Sequence, residues 1–250
     1  MDVRVILVEP KLAENIGAVA RVLKNFGYGK QLYLVNPPAL TEKMFWVASH
    51  AGDVLRASIV VSSLEDAIAG STLVVGTTAK TGISATRHLR KPLFPPRELV
   101  AKVAECGGEG VLALLFGPED RGLLNDELVH CDLLVSIPTS AAYPVLNLSH
   151  AVAIVLYELY AGQQSCEPGS SMAQQPPALA AVADKERLFE HISSFLEEIE
   201  YRAHRRERTL LLLRRLLGRA VLTAREVRTL RGILRSAERT LREQEKRERQ

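Results

Sequence analysis

The 250-residue sequence has little cysteine and little aromatic character: three cysteines, a single tryptophan, and only 5% Phe, Trp and Tyr together. Cys106, Cys131 and Cys166 are odd in number, scattered, and never spaced as C-x-x-C. That disfavours a disulfide framework or a thiolate zinc site, so a reducing cytoplasm is the expected location and no metal is expected. No signal-peptide pattern precedes the opening strand-like run Val3–Val8. The central apolar stretch Ala151–Tyr157 is closed off by His150 and Glu158, far short of the roughly 20 apolar residues a bilayer span takes. Familiar nucleotide and hydrolase signatures are missing as well. No G-x-G-x-x-G follows a strand, since Gly27-Tyr28-Gly29 comes after a helical pattern and before a strand. There is no Walker A loop, no H-E-x-x-H and no G-x-S-x-G elbow. Nicotinamide, ATP, zinc-protease and serine-hydrolase chemistries lose their usual sequence support.

What is present divides by charge. From Asp184 onward the chain carries 18 Lys/Arg against 12 Asp/Glu, a net +6, and 16 of those basic residues are arginine. The preceding part is net −3. Arginine forks match phosphate oxygens, although a solvated helix laced with ion pairs has the same composition. Residues 1–161 alternate apolar runs (Val3–Val8, Gln31–Val35, Ile59–Val61, Leu73–Val75, Val111–Phe116, Leu133–Ile137) with amphipathic stretches (Ile16–Phe26, Glu42–Leu55, Leu64–Ala69, Pro96–Glu105). This rhythm predicts an α/β domain with a mostly parallel sheet covered on both faces. Residues 162–183, rich in Gln, Ser, Pro and Gly, read as a linker. Helical patterns follow over Asp184–Leu217 and Thr223–Arg249, the second opened by Thr223 as N-cap with Glu226 three residues on.

Three segments carry polar groups where open α/β sheets bind ligands, at strand ends. In Asn147-Leu148-Ser149-His150 a loop hands its polar residues to a helix start. In Phe116-Gly117-Pro118-Glu119-Asp120-Arg121-Gly122, Gly117 allows close approach to backbone, while Asp120 and Arg121 could simply pair and cap the next helix. Gly76-Thr77-Thr78-Ala79-Lys80 leads into a long aperiodic stretch holding Arg87 and Arg90. A fourth segment, Glu14–Arg21, places Gly17 and Arg21 four apart on one helix face, as if to let a phosphodiester approach. Taken alone, it reads more simply as an N-capped helix with solvent-facing basic residues.

Taken together, N-I-G-A-V-A-R, L-F-G-P-E-D-R-G-L and I-P-T-x₄-Y-P-V-L-N-L-S-H-A-V resemble the SPOUT class of RNA methyltransferases. Within it the chain is similar to the TrmJ-type tRNA ribose 2′-O-methyltransferases, archaeal in flavour, over residues 1–161 and more weakly through the tail segment Arg225–Leu234. The resemblance implies a parallel-sheet SPOUT domain (1–161) whose final third threads a deep trefoil knot, a flexible linker (162–183), and a basic helical tRNA-binding extension (184–250). It implies S-adenosylmethionine held by Thr77, Thr78, Ala79, Gly117, Ile137, Pro144, Val145 and Leu146, mostly through backbone groups. It also implies methyl transfer to a ribose 2′-hydroxyl at position 32 of the anticodon loop, on cytidine or any nucleotide. Catalysis would rest on Arg21, acting electrostatically because arginine keeps its proton. Asn15 would orient Arg21 or the ribose, Glu119 and Asn147 would fix the loops and the target nucleotide, and Ser149 is a weaker candidate. Arg87, Arg90, Arg225 and Arg231 would grip the tRNA. A homodimer through the knot region and the helix 147–161 is expected, with Ala151, Ile154, Val155 and Glu158 on one face and Val152, Leu156 and Leu159 on another. Ribosomal RNA 2′-O-methylation and a catalytically inactive RNA-binding SPOUT protein are the alternatives.

Overall fold

A computed structural model describes residues 1–79, 93–105, 109–165, 178–220 and 222–248. Seven parallel strands form one sheet, β1 (Asp2–Val8), β2 (Leu32–Val35), β3 (Ile59–Val61), β4 (Leu73–Thr77), β5 (Leu93–Phe94), β6 (Val111–Phe116) and β7 (Leu133–Val135), in the order β3-β2-β1-β6-β4-β7-β5. Both faces are covered, which explains why the strands read as unbroken apolar runs. Val5 and Leu7 enter one core layer, with α1 (Ala13–Asn25), α5 (Pro96–Glu105) and α7 (Leu148–Ser165). Ile6 and Val8 enter the other, with α4 (Leu64–Ile68) and α6 (Asn125–Leu128). Strand β5 pairs only two residues with β7 at the sheet edge, too short for a periodic signal. Among the described residues no helix is long and apolar enough to cross a membrane.

Two helices expected to be continuous are broken, each at a residue with positive φ. The pattern over Glu42–Leu55 splits into α2 (Glu42–Ala48), a 3-10 turn and α3 (Gly52–Arg56), with Ser49 at φ 53°. The pattern over Asp184–Leu217 splits into α8 (Val182–Glu198) and α9 (Ala203–Arg219). There Glu200 adopts φ 50°, Tyr201 N–H bonds the Leu196 carbonyl and Glu200 N–H the Glu197 carbonyl, a Schellman turn built without glycine. The expected start of α10 (Ala224–Glu248) is present: Glu226 N–H donates to Thr223 Oγ1 at 3.2 Å and Thr223 N–H to the Glu226 carboxylate at 2.8 Å.

The segment read as a linker is structured at both ends. Helix α7 continues to Ser165, and Ala180, fully buried, bonds its N–H to the Leu222 carbonyl while Val182 N–H bonds Ser71 O. Helices α8, α9 and α10 close a small core of their own around Leu188, Phe189, Ile192 and Val227.

Gly17 has a different role from the one its spacing suggested. A Cβ there would overlap the Met44 carbonyl oxygen and crowd Val47. The glycine lets α1 and α2 pack closely and is unavailable to a phosphodiester. Gly117 is constrained the same way, because a Cβ would overlap the backbone of Gly122 and Leu123 within its own loop.

Candidate active site

Strands β6, β4 and β7 are neighbours, so the loops leaving their carboxyl ends meet at one place. Thr77, Thr78, Ala79, Gly117, Ile137, Pro144, Val145 and Leu146 all line a single cleft of about 910 Å³, counted to its open mouth. Phe116, Pro118, Val135 and Leu148, which the sequence did not assign to the cofactor, line it as well, as does Ala151, which was expected on a partner-facing side of the helix. A mainly apolar lining with a few polar groups at its rim suits a small organic ligand. The backbone is less free than expected at one point, because Thr78 N–H is already bonded to the Val135 carbonyl and Thr77 Oγ1 to Leu115 O.

Beside the cleft runs a chain of hydrogen bonds joining three distant segments. Asn15 Nδ2 donates to Glu119 Oε1 (2.6 Å), Asn147 Nδ2 donates to Asn15 Oδ1 (3.0 Å), and Ser149 N–H and Oγ–H both donate to Asn147 Oδ1. Glu119 also accepts from the backbone N–H groups of Lys11 (2.8 Å) and Leu12 (3.3 Å) at the start of α1. Its carboxylate thus pins the two residues that lead into that helix from the β6 loop, at the end where a helix dipole favours negative charge. Asn15, 7% exposed, is neither the N-cap nor a partner of Arg21, because both ends of its amide are committed to Glu119 and Asn147.

Burial would raise the Glu119 pKa, but the hydrogen bonds from Asn15, Lys11 and Leu12 outweigh it and hold the carboxyl below its ordinary value. The group is therefore ionised at neutral pH, a poor proton acceptor and a good clamp. A depressed folded pKa contributes stability above the unfolded value, about 4.3 for glutamate, which is lost as pH falls through the lower folded value. Glu119→Gln should accordingly lower the urea midpoint at pH 7 and differ less from the parent near pH 3. A difference that stays constant between the two pH values would refute the clamp.

Arg121 does not pair with Asp120. It bridges Glu9 (3.0 Å), itself at φ 44° after β1, and Glu127 (3.2 Å) on α6, so it braces the rim of the cleft. Arg21 does not line the cleft. It is exposed on α1, six residues beyond Asn15 and so about 9 Å along the axis at 1.5 Å per residue, and it has no hydrogen bond or ion pair among the described residues. Arg225 is exposed on α10 and Arg231 half-buried, its Nε without a partner among the described residues. Arg87 and Arg90 fall outside the described residues.

On α7, Val152, Leu156 and Leu159 are buried as expected, but Val155 belongs with them in the chain's own core and not on a partner-facing surface. The exposed apolar surface lies instead at Tyr157 (55%) and Tyr160 (40%), whose rings pack at 6.3 and 5.8 Å on Phe26 at the end of α1.

Known proteins share this arrangement. Residues 2–157 match the SpoU rRNA Methylase family, and residues 183–246 match the tRNA methyltransferase TrmJ, C-terminal domain. A Methanocaldococcus jannaschii protein named tRNA (cytidine-2′-O-)-methyltransferase TrmJ is 34% identical over 91% of this chain and 96% of its own length. A Pectobacterium atrosepticum tRNA (cytidine/uridine-2′-O-)-methyltransferase TrmJ is 37% identical over 96% and 98%. The crystal structure of TrmJ from Z. mobilis superposes with a TM-score of 0.75 at 30% identity, covering 94% of this chain and 98% of that one. With a parallel sheet whose three site loops converge at one cleft and a helical C-terminal unit beyond it, the chain belongs to the SpoU methylase family, in its TrmJ branch.

Proposed function

We propose that this protein methylates the 2′-hydroxyl of a ribose in a tRNA anticodon loop, at position 32, on cytidine or on any nucleotide, using S-adenosylmethionine. The observation that carries the reading is the convergence of the β4, β6 and β7 loops on one cleft beside the Glu119–Asn15–Asn147 chain. Bound there, S-adenosylmethionine would supply a methyl group on a sulfonium. Thr77–Ala79, Gly117, Ile137 and Pro144–Leu146 would hold it, largely through shape and the main-chain groups still free. The order β6-β4-β7-β5, in which chain neighbours are not sheet neighbours, accords with the knotted threading of this class. Residues 1–161 would form the methyltransferase unit and residues from 184 the RNA-binding one, working in the cytoplasm.

The protein's share of the chemistry is placement and charge. Asn147 and Ser149, beside the lining residues Leu146 and Leu148, can seat the target nucleotide, held in place through the buried Asn15 by an ionised Glu119. A ribose hydroxyl becomes a nucleophile only as its proton departs, and a guanidinium nearby stabilises the oxygen's developing charge. Arg21 has that capacity but stands outside its own cleft. Phe26, Tyr157 and Tyr160 expose apolar surface at the same end of α1, and a homodimer formed there through α7 would offer Arg21 to the partner's cleft. The TrmJ-type C-terminal unit favours tRNA over ribosomal RNA, despite the name of the family matched by the first domain.

Purified protein, methyl-labelled S-adenosylmethionine and unmodified tRNA provide the test, with nuclease digestion and mass spectrometry locating the label. A single 2′-O-methyl nucleotide in the anticodon loop is expected. Label on a base, or an unlabelled tRNA while ribosomal RNA is labelled in a parallel reaction, would overturn the reading.

A further inference from the structure

The single tryptophan of the chain stands in the open. Trp46 on α2 is 76% exposed, a costly position for the largest apolar side chain unless something covers it. Its place relative to Arg21 follows from three contacts between α1 and the α2–α3 segment. Lys43 is ion-paired with Glu14, Gly17 packs against Met44 and Val47, and Lys24 Nζ bonds His50 O at 2.7 Å and Asp53 at 2.8 Å. The two segments therefore run side by side in register, and Arg21, between Gly17 and Lys24, lies level with residues 47–50. Arg21 also shares the face of Glu14, seven residues earlier, while Trp46 follows Lys43 by three on the outer face of α2.

The charges around this spot are unequally committed. Glu14 and Asp53 are each neutralised by a lysine, while the Arg21 guanidinium, like the exposed Glu42 carboxylate on α2, has no ion pair among the described residues. The other exposed residues of α2 are Glu42 and Lys43, and Thr41, Ser49 and His50 at its two ends are exposed as well, so the surroundings of Trp46 are mainly polar, with Leu40 the apolar exception. A lone indole among polar groups is a poor core for a protein interface, which needs roughly 800 Å² of well-packed surface per partner. It suits an unpaired nucleobase, for which a flat aromatic face beside a phosphate-binding cation is the usual receptor.

Resting on the function proposed above, we propose that Trp46 stacks on an unpaired base flanking the target nucleotide, with Arg21 against the adjoining backbone. The juxtaposition of an exposed indole and an uncommitted guanidinium across the α1–α2 crossing is what carries the assignment.

Because Trp46 is the only tryptophan, its fluorescence reports on this position alone. Titrating the full-length protein with unmodified tRNA should quench the emission, with saturation at the concentration that retards tRNA on a gel, whereas S-adenosylmethionine alone should not. Trp46→Ala should raise KM for tRNA between about 5- and 100-fold, as expected for one lost stack, with a much smaller change in kcat. Trp46→Phe should recover most of that loss. Emission unchanged by tRNA that is demonstrably bound, or an unaltered KM in Trp46→Ala, would overturn the assignment while leaving the methyltransferase reading in place. A blue-shifted emission in the free protein, with Trp46→Ala separating the subunits, would assign the indole to a dimer contact instead. Failure of the unaltered protein to bind or methylate tRNA would remove both readings.

Discussion

Replacing Arg21 with alanine is expected to slow methyl transfer by about 10²–10³-fold, the usual loss when one preorganised charge-stabilising donor is removed. Cofactor affinity should be nearly unchanged, because Arg21 does not line the cleft while all eight residues assigned to the cofactor do. The fold should also be preserved, since the side chain is exposed and has no partner among the described residues. Single-turnover rates at saturating tRNA, together with calorimetric titration of S-adenosylmethionine, separate these effects. Arg21→Lys keeps the charge but loses the fork that meets two oxygens at once, so it should retain a minor part of the rate. Mixing Arg21→Ala with Glu119→Ala subunits tests the dimeric arrangement. If Arg21 serves the partner's cleft, each mixed dimer regains one intact site and activity returns. If it serves its own cleft, both sites stay defective. An alanine variant as fast as the parent would remove Arg21 from the reaction altogether.

The strand rhythm was legible because parallel strands buried on both faces leave long apolar runs, and the three site loops were legible because small and polar residues interrupt those runs at strand ends. All eight residues assigned to the cofactor fall in one cleft for that reason. What could not be read was the use to which an ambiguous residue is put. Gly17 and Arg21 are spaced as a ligand site would be, yet Gly17 serves a helix crossing whose partner, Met44, lies 27 residues away. Asn15 looks like a helix cap and is instead held between Glu119 and Asn147, contacts 104 and 132 residues distant. Pairings of that separation leave no local periodicity. The helix breaks at Ser49 and Glu200 were missed because neither is a glycine or followed by proline, and positive φ in such residues is set by tertiary packing.

Lys185 gives the sharpest case of a misleading local signal, and the second large effect. In the sequence it is one of 18 basic residues in a tail suited to RNA. In the structure its ammonium is buried, bonded to both Asp132 oxygens at 2.7 and 2.8 Å and to the Thr72 carbonyl at 3.1 Å. The two side chains are only 8% and 10% exposed. Asp132 in turn accepts from Val74 N–H (2.9 Å), and its own N–H bonds Val74 O (2.8 Å). One ion pair thus ties α8 to β4 and to the start of β7, the strands that deliver Thr77–Ala79 and Ile137 to the cleft. Removing one member of a buried pair leaves an uncompensated charge, which costs about 3–5 kcal/mol. Lys185→Met should therefore lower stability in urea by that amount, whereas an exposed pair would cost at most about 1 kcal/mol. Affinity for S-adenosylmethionine should fall as well, even though residue 185 lies in the C-terminal helical unit and does not line the cleft. Arg214, paired with Glu186 at 2.6 Å and stacked 4.3 Å from the Phe189 ring, reinforces the tail's own helices and does not reach β4. Arg214→Met should then destabilise without weakening the cofactor. Equal loss of cofactor affinity in both variants would show that the cleft responds to general loosening of the tail. A loss confined to Lys185→Met would place the connection in the Lys185–Asp132–Val74 contact.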